Sequence, residues 1–162
     1  MQNWLTHPDH RAWLTGHARQ LLAFGHRTGR SGGGAHWLDD DGLPDRSRPH
    51  HTWITARTVH VYGIGALLGV PGCSPIAETA LAGLQGELLD RDHGGWYTSV
   101  DEGRPGPVKS CYDHVFVLLA GATASHAGLA GGPELFDEAV TVFLDRFWDD
   151  ATDFCVDTWD EA

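Results

Sequence analysis

Apolar residues recur with a helical period in five stretches of this chain. In the first, from about Asp9 to Arg27, Trp13, Leu14, His17, Leu21 and Phe24 fall on one stripe. The second runs from Trp53, with Thr52 read as its N-cap, to a stop at Gly69. The third opens on Ser74-Pro75, a cap followed by a proline suited to the first helical turn, and reaches about Leu89. A fourth spans about Tyr112 to His126. After the break Gly131-Gly132-Pro133, a fifth spans about Glu134 to Trp148. The glycine-rich Ser31-Gly32-Gly33-Gly34 and the segment Trp37 to Pro44 read as loop and turn. Residues 94–105 read as a short extended segment and turn, a small hairpin.

Two kinds of helix alternate in this pattern. The first, third and fifth are amphipathic; the second and fourth are apolar or small nearly all round, which predicts burial. Trp53 to Gly69 and Tyr112 to Gly128 are intervals of equal length, the second displaced by 59 residues. A repeat of amphipathic helix, loop and buried helix is an α/α hairpin, and such hairpins stack into solenoids or close into toroids. The fold class is therefore all-α, with about two and a half hairpins over residues 1–162.

Charge and cysteine usage narrow the function classes. The net charge is −11, from 11 Lys+Arg against 22 Asp+Glu, and no basic stripe is present to engage nucleic acid. No apolar run approaches the ~20 residues that span a bilayer. Met1-Gln2-Asn3-Trp4 has neither the basic nor the apolar region of a secretory signal. Cys73, Cys111 and Cys155 are odd in number and outside any C-x-x-C spacing, so they read as free thiols in a cytoplasmic protein.

Arg57 changes the picture most. It lies one turn inside the second helix, four residues after Trp53, on an element otherwise read as buried. A guanidinium there needs acceptors: either a structural carboxylate such as Asp113, or an anionic or polyhydroxylated ligand in a central cavity. The residues alone leave the two readings level.

The blocks Trp53-Ile54-Thr55-Ala56-Arg57-x-x-His60-Val61-Tyr62, Gly94-Gly95-Trp96-Tyr97, Tyr112-x-His114-x-Phe116 and Trp159-Asp160-Glu161-Ala162 occur in that order. Together they resemble the N-terminal part of the N-acylglucosamine 2-epimerase superfamily, in particular its mannose isomerase and sulfoquinovose isomerase branch. The resemblance implies an (α/α)6 barrel of about twelve helices, of which this chain supplies about five. It implies interconversion of an aldose and its 2-ketose through a metal-free enediolate, without a cofactor and with a monosaccharide as substrate. It also implies that the catalytic histidine pair lies on later helices, so that this chain is an N-terminal portion without activity of its own. An open barrel edge would expose apolar helices and favour self-association.

Within that frame Arg57 is the first candidate to bind substrate oxygens and stabilise an enediolate. Tyr112 stands on the fourth helix where Trp53 stands on the second, and its hydroxyl could donate to a sugar oxygen. His114 points about 200° around the helix from Tyr112 and reads as a supporting histidine. Trp53 either stacks on a sugar face or packs the helix start. The acidic runs Asp39-Asp40-Asp41 and Asp149-Asp150 lack a calcium-loop pattern, and His7, His10, His50 and His51 lack zinc-site spacing, so no metal is expected. A sugar 2-epimerase, a paired-carboxylate glycosidase or lyase, and a non-catalytic remnant are the rival readings.

Overall fold

The computed structural model describes residues 4–159. After a 3-10 turn at Trp4–Thr6, helix α1 covers Pro8–Phe24, starts on a proline and tightens into a second 3-10 turn at Gly25–Arg27. Helices α2 (Thr52–Leu67), α3 (Cys73–Leu84), α4 (Cys111–His126) and α5 (Gly132–Arg146) follow. All five expected helices are present, with shifted ends. His51, not Thr52, is the N-cap of α2; Thr52 is already helical, and its hydroxyl donates to Tyr97 O at 2.5 Å. Gly72 precedes α3 in place of Ser74, and α3 stops five residues before Leu89. Ser110 caps α4 by accepting from the Asp113 backbone N–H.

The connections hold more strand than a single hairpin. Strands β1 (Trp37–Leu38) and β2 (Pro44–Asp45) pair across the acidic turn, where Asp39 Oδ1 accepts from the Asp41 and Leu43 N–H groups. That turn chemistry accounts for one of the acidic runs without a metal. The expected hairpin within 94–105 is β4 (Ser99–Asp101) with β5 (Arg104–Pro105), turning at Glu102 and Gly103, both at positive φ. β3 (His50–His51) adds to it antiparallel, in the register His50 to Val100 and His51 to Ser99. This three-stranded ribbon ties the loop before α2 to the loop before α4. β6 (Lys109–Ser110) pairs with β9 (Thr158–Trp159), and β7 (Trp148–Asp149) pairs with β8 (Phe154–Cys155). Of the last motif only Trp159 is seen; Asp160, Glu161 and Ala162 lie outside the described residues.

The core sits among α2, α3, α4 and α5. Val59, Leu84, Leu88, Trp96, Val117 and Ala124 are fully buried, with Trp96 Nε1 donating to Leu84 O at 2.8 Å. Small residues let the helices approach closely. A Cβ on Gly121 would lie 2.7 Å from the backbone of Phe136 on α5, so any larger residue forces α4 and α5 apart. The three cysteines are free thiols, and among the described residues no helix is long and apolar enough to cross a membrane.

Two burial expectations need correction. No described residue of α1 is buried, although its apolar stripe is real; Trp13 is 60% exposed and Leu21 58%. Its inward face touches the core mainly through Leu22, whose carbonyl accepts from the Tyr62 hydroxyl at 2.8 Å. Helices α2 and α4 are not buried all round either. Val61, Ile64 and Leu67 on α2, and Val115 and Leu119 on α4, are exposed. Each inner helix has a packed face toward α3 or α5 and an open face carrying the same kind of side chain. Periodicity analysis cannot separate those faces, because both are apolar.

Candidate functional site

The ribbon and the two helix starts bring four aromatic rings together. Trp53, in the first turn of α2, lies edge-on to Trp37 of β1 at 5.0 Å between centroids and to Tyr112 of α4 at 6.4 Å. Tyr112 in turn meets Phe116, one helical turn on, at 4.9 Å. Arg57 sits between these rings, its Cζ 4.4 Å from the Phe116 centroid and 5.3 Å from that of Trp53. The Arg57 side chain is exposed. Among the described residues its guanidinium makes neither hydrogen bond nor ion pair. Asp113 is not its anchor, and among the described residues no other carboxylate pairs with it. The guanidinium lies over both rings, and among the described residues its N–H groups have no acceptor.

Asp113 serves the helix starts instead. It is buried, its Oδ2 accepts from Ser110 Oγ at 2.5 Å, and its Oδ1 makes no well-formed hydrogen bond. Burial pushes its carboxyl above the usual carboxylate range, partly offset by the Ser110 and Thr98 hydroxyls, the Trp53 N–H and nearby His51. His51 Nδ1 and Trp37 Nε1 are also buried without partners, and burial lowers the His51 imidazole. Orphaned buried polar atoms are costly and uncommon, and three of them gather beside Arg57 and its rings. The N-terminal ends of two long helices face the same place and add positive potential.

Of the residues singled out from sequence, Trp53, Arg57 and Tyr112 come together at this spot, with the Tyr112 side chain exposed. His114 does not join them. It is fully buried behind the helix start, its Nδ1–H donating to Ser110 O at 2.8 Å and its Nε2 accepting from the Trp96 N–H at 3.0 Å. Burial lowers its imidazole to about 4, so it is a neutral strut with no free nitrogen. The mirrored position before α2 holds His50, also buried and lowered to about 4. Its Nδ1–H donates to Glu87 at 2.8 Å, and its Nε2 accepts from the Thr55 hydroxyl at 3.0 Å. Lys109 closes the frame: it is buried against Asp90 at 2.7 Å and lies 4.2 Å over the Trp159 ring. Burial alone would raise the Asp90 carboxyl, but the ammonium and the His93 and Asp92 N–H groups hold it well below its usual value.

With this geometry in view, likeness to known proteins becomes informative. The family model for N-acylglucosamine 2-epimerase matches residues 33–162, which is most of the chain. The chain belongs to the N-acylglucosamine 2-epimerase family. It is 42% identical over 166 residues to a D-mannose isomerase of Thermobifida fusca, a match covering 100% of this chain and 40% of that protein. It is 33% identical over 148 residues to a D-mannose isomerase of Pseudomonas cannabina pv. alisalensis, covering 91% and 36%. Among solved structures, a D-mannose isomerase superposes with a TM-score of 0.83 at 20% identity, over 92% of this chain and 39% of the other. A cellobiose 2-epimerase from Spirochaeta thermophila does so with a TM-score of 0.81 at 25% identity, over 93% and 40%.

The chain thus spans about two fifths of the length of these relatives, as five helices of a twelve-helix (α/α)6 barrel would.

Sequence reasoning missed Trp37 and His51 and gave Phe116 no role. Phe116 lies four residues after Tyr112, so the shared helix face was readable. Trp37 and His51 reach the site only through the β1–β2 and β3–β4 pairings, which no local pattern announces.

Proposed function

We propose that this chain forms the sugar-binding wall of an aldose–ketose isomerase of the mannose–fructose type. The observation that carries the reading is the unpaired Arg57 guanidinium, held between Trp53 and Phe116 at the N-terminal ends of two inner helices. A sugar oxygen that gains negative charge as the C2 proton leaves would be met by the Arg57 N–H edge. The exposed Tyr112 hydroxyl would donate to a neighbouring hydroxyl group, and Trp53 would offer its ring to the apolar face of the sugar. Removing the C2 proton and returning one at C1 falls to histidines outside this chain. His50 and His114 cannot supply that base, because both ring nitrogens of each are engaged. On this reading the 162-residue chain alone has no turnover, and no cofactor enters the scheme.

Incubating a protein that joins this chain to the remaining barrel helices with D-mannose, and assaying D-fructose, tests the proposal. Turnover should fall at least about 100-fold in Arg57→Ala, the scale expected for losing an oxyanion donor, with folding intact. Absence of turnover with any aldose or ketose would sink it. A 2-epimerase is the second reading, favoured by the fit to the cellobiose 2-epimerase at TM-score 0.81. The product decides: a ketose supports isomerisation, a 2-epimeric aldose the alternative.

A further inference from the structure

One concavity of this acidic chain is lined only by neutral and basic side chains. A cavity of about 490 Å³ lies between the C-terminal end of α1, the loop after it and the flank of α3. Arg27, Arg30 and Arg46 line it with His26 and His36, and no acidic residue does. Three of the chain's 11 Lys+Arg thus line this cavity, and among the described residues the acid that reaches one of them is Glu87, paired with Arg30.

The glycine-rich segment noted in the sequence builds this site. The His36 N–H donates to Thr28 O at 2.7 Å and the Thr28 hydroxyl to His36 O at 2.9 Å. Gly29 bridges Ala35 inside them, so Arg30 and His36 are carried on a closed loop. The Gly34 N–H fastens the loop to α3 through Thr79 O at 2.7 Å. Gly34 has φ +94, and a Cβ there would lie 2.0 Å from His50 Nε2. Only glycine permits so close an approach.

The charges are also left over. Asp45, next to Arg46, is taken up by the Ser47 hydroxyl and by Arg48, and among the described residues neither Arg27 nor Arg46 has an ion pair. Arg30 reaches Glu87 through one Nη2 contact at 3.3 Å, while its buried Nε has no partner.

We propose that this cavity binds a small phosphorylated molecule, its phosphate seated by Arg27, Arg30 and Arg46. Three guanidiniums from two chain segments suit a dianion with three terminal oxygens, each able to accept charge-assisted hydrogen bonds. The volume leaves room for an organic remainder beyond the phosphate. A nucleic acid is disfavoured, since the basic patch is one concavity on a chain of net charge −11. The site shares no residue with the Arg57 cluster and does not depend on the sugar reading.

The test is calorimetric titration of the chain with glycerol 3-phosphate, inorganic phosphate and succinate at matched ionic strength. The His36 imidazole is followed by NMR and assigned through His36→Gln. Burial, Arg30 and Arg46 all lower His36 in the free protein, so a bound dianion should move its titration upward. The expected result is saturable binding of glycerol 3-phosphate, with phosphate weaker. Arg46→Gln, and separately Arg27→Gln, should weaken it by roughly tenfold or more while leaving far-UV dichroism unchanged. No heat and no His36 shift at millimolar ligand would overturn the proposal. So would equal affinity in both arginine variants, or succinate binding as tightly as the phosphoester.

Discussion

Lowering the pH should unfold this protein earlier than its surface charges alone would suggest, because His50 and His114 are locked neutral. Each is held at about 4 against the usual 6.5, chiefly by burial. Such a difference corresponds to about 3 kcal/mol per imidazole at neutral pH. Both groups are harder to protonate in the folded than in the unfolded chain. Their stabilisation is therefore complete above about pH 6.5, falls as pH drops toward 4, and levels off below that. Near pH 5 the pair should give a slope approaching about 2.7 kcal/mol per pH unit, with about 2 kcal/mol per histidine already lost. His36, His51 and His60 are lowered by burial as well and add in the same direction. Asp113 opposes them, since its raised carboxyl takes up a proton in the folded state first. The assay is urea unfolding followed by tryptophan fluorescence at pH 7.5, 6.0 and 5.0, for the wild type and His114→Gln. A glutamine amide can still donate to Ser110 O and accept from the Trp96 N–H, but it does not titrate. The variant should lose up to about 1.4 kcal/mol per pH unit of the slope, whatever its stability at pH 7.5. An unchanged slope in His114→Gln would refute the reasoning.

Lys109→Met should cost about 3–5 kcal/mol in urea unfolding, because it strands the buried Asp90 carboxylate, and Lys109→Met/Asp90→Asn should recover part of that loss. Gly121→Ala places a Cβ 2.7 Å from the Phe136 backbone and should lower stability by about 1–3 kcal/mol, read as a shift in thermal midpoint. The 162-residue chain should self-associate through the exposed apolar residues of α1 and the open faces of α2 and α4. Sedimentation velocity at micromolar concentration checks this, and a monodisperse monomer would count against it.

The helices were legible because of local signatures: a 3.6-residue period, Pro75 near the start of α3, and Gly69 and Gly128 at positive φ just past the ends of α2 and α4. The alternation of amphipathic and apolar helices was enough to read a hairpin repeat. Exposure was not legible. Trp13 and Leu21 form a sound amphipathic stripe, yet nothing in the described residues covers it. A hydrophobic pattern records that a surface wants a partner and cannot say whether the partner belongs to the same chain. The site was half legible for a related reason. Trp53, Arg57 and Tyr112 lie on helices with readable faces. Trp37 and His51 arrive on two-residue strands whose pairing depends on tertiary closure.

The polar groups of the interior divide into two sets, and the division bears on function. His50, His114 and the Lys109–Asp90 pair are buried with partners, and each pins a loop to a helix end. Trp37 Nε1 and His51 Nδ1 are buried without partners near the Arg57 cluster and the exposed Tyr112, and Asp113 Oδ1 there has no well-formed hydrogen bond. A stability-driven fold would not concentrate unsatisfied groups, since each costs about 1–3 kcal/mol. Their gathering where two helix N-termini and four rings converge is the arrangement on which the proposed sugar-binding role rests. The satisfied set keeps that surface rigid. Arg57, which on an apolar helix seemed to demand a buried acid, instead lies over two rings with no acceptor among the described residues. In the proposed function that arrangement leaves it to donate to a sugar oxygen, and among the described residues it anchors no acid.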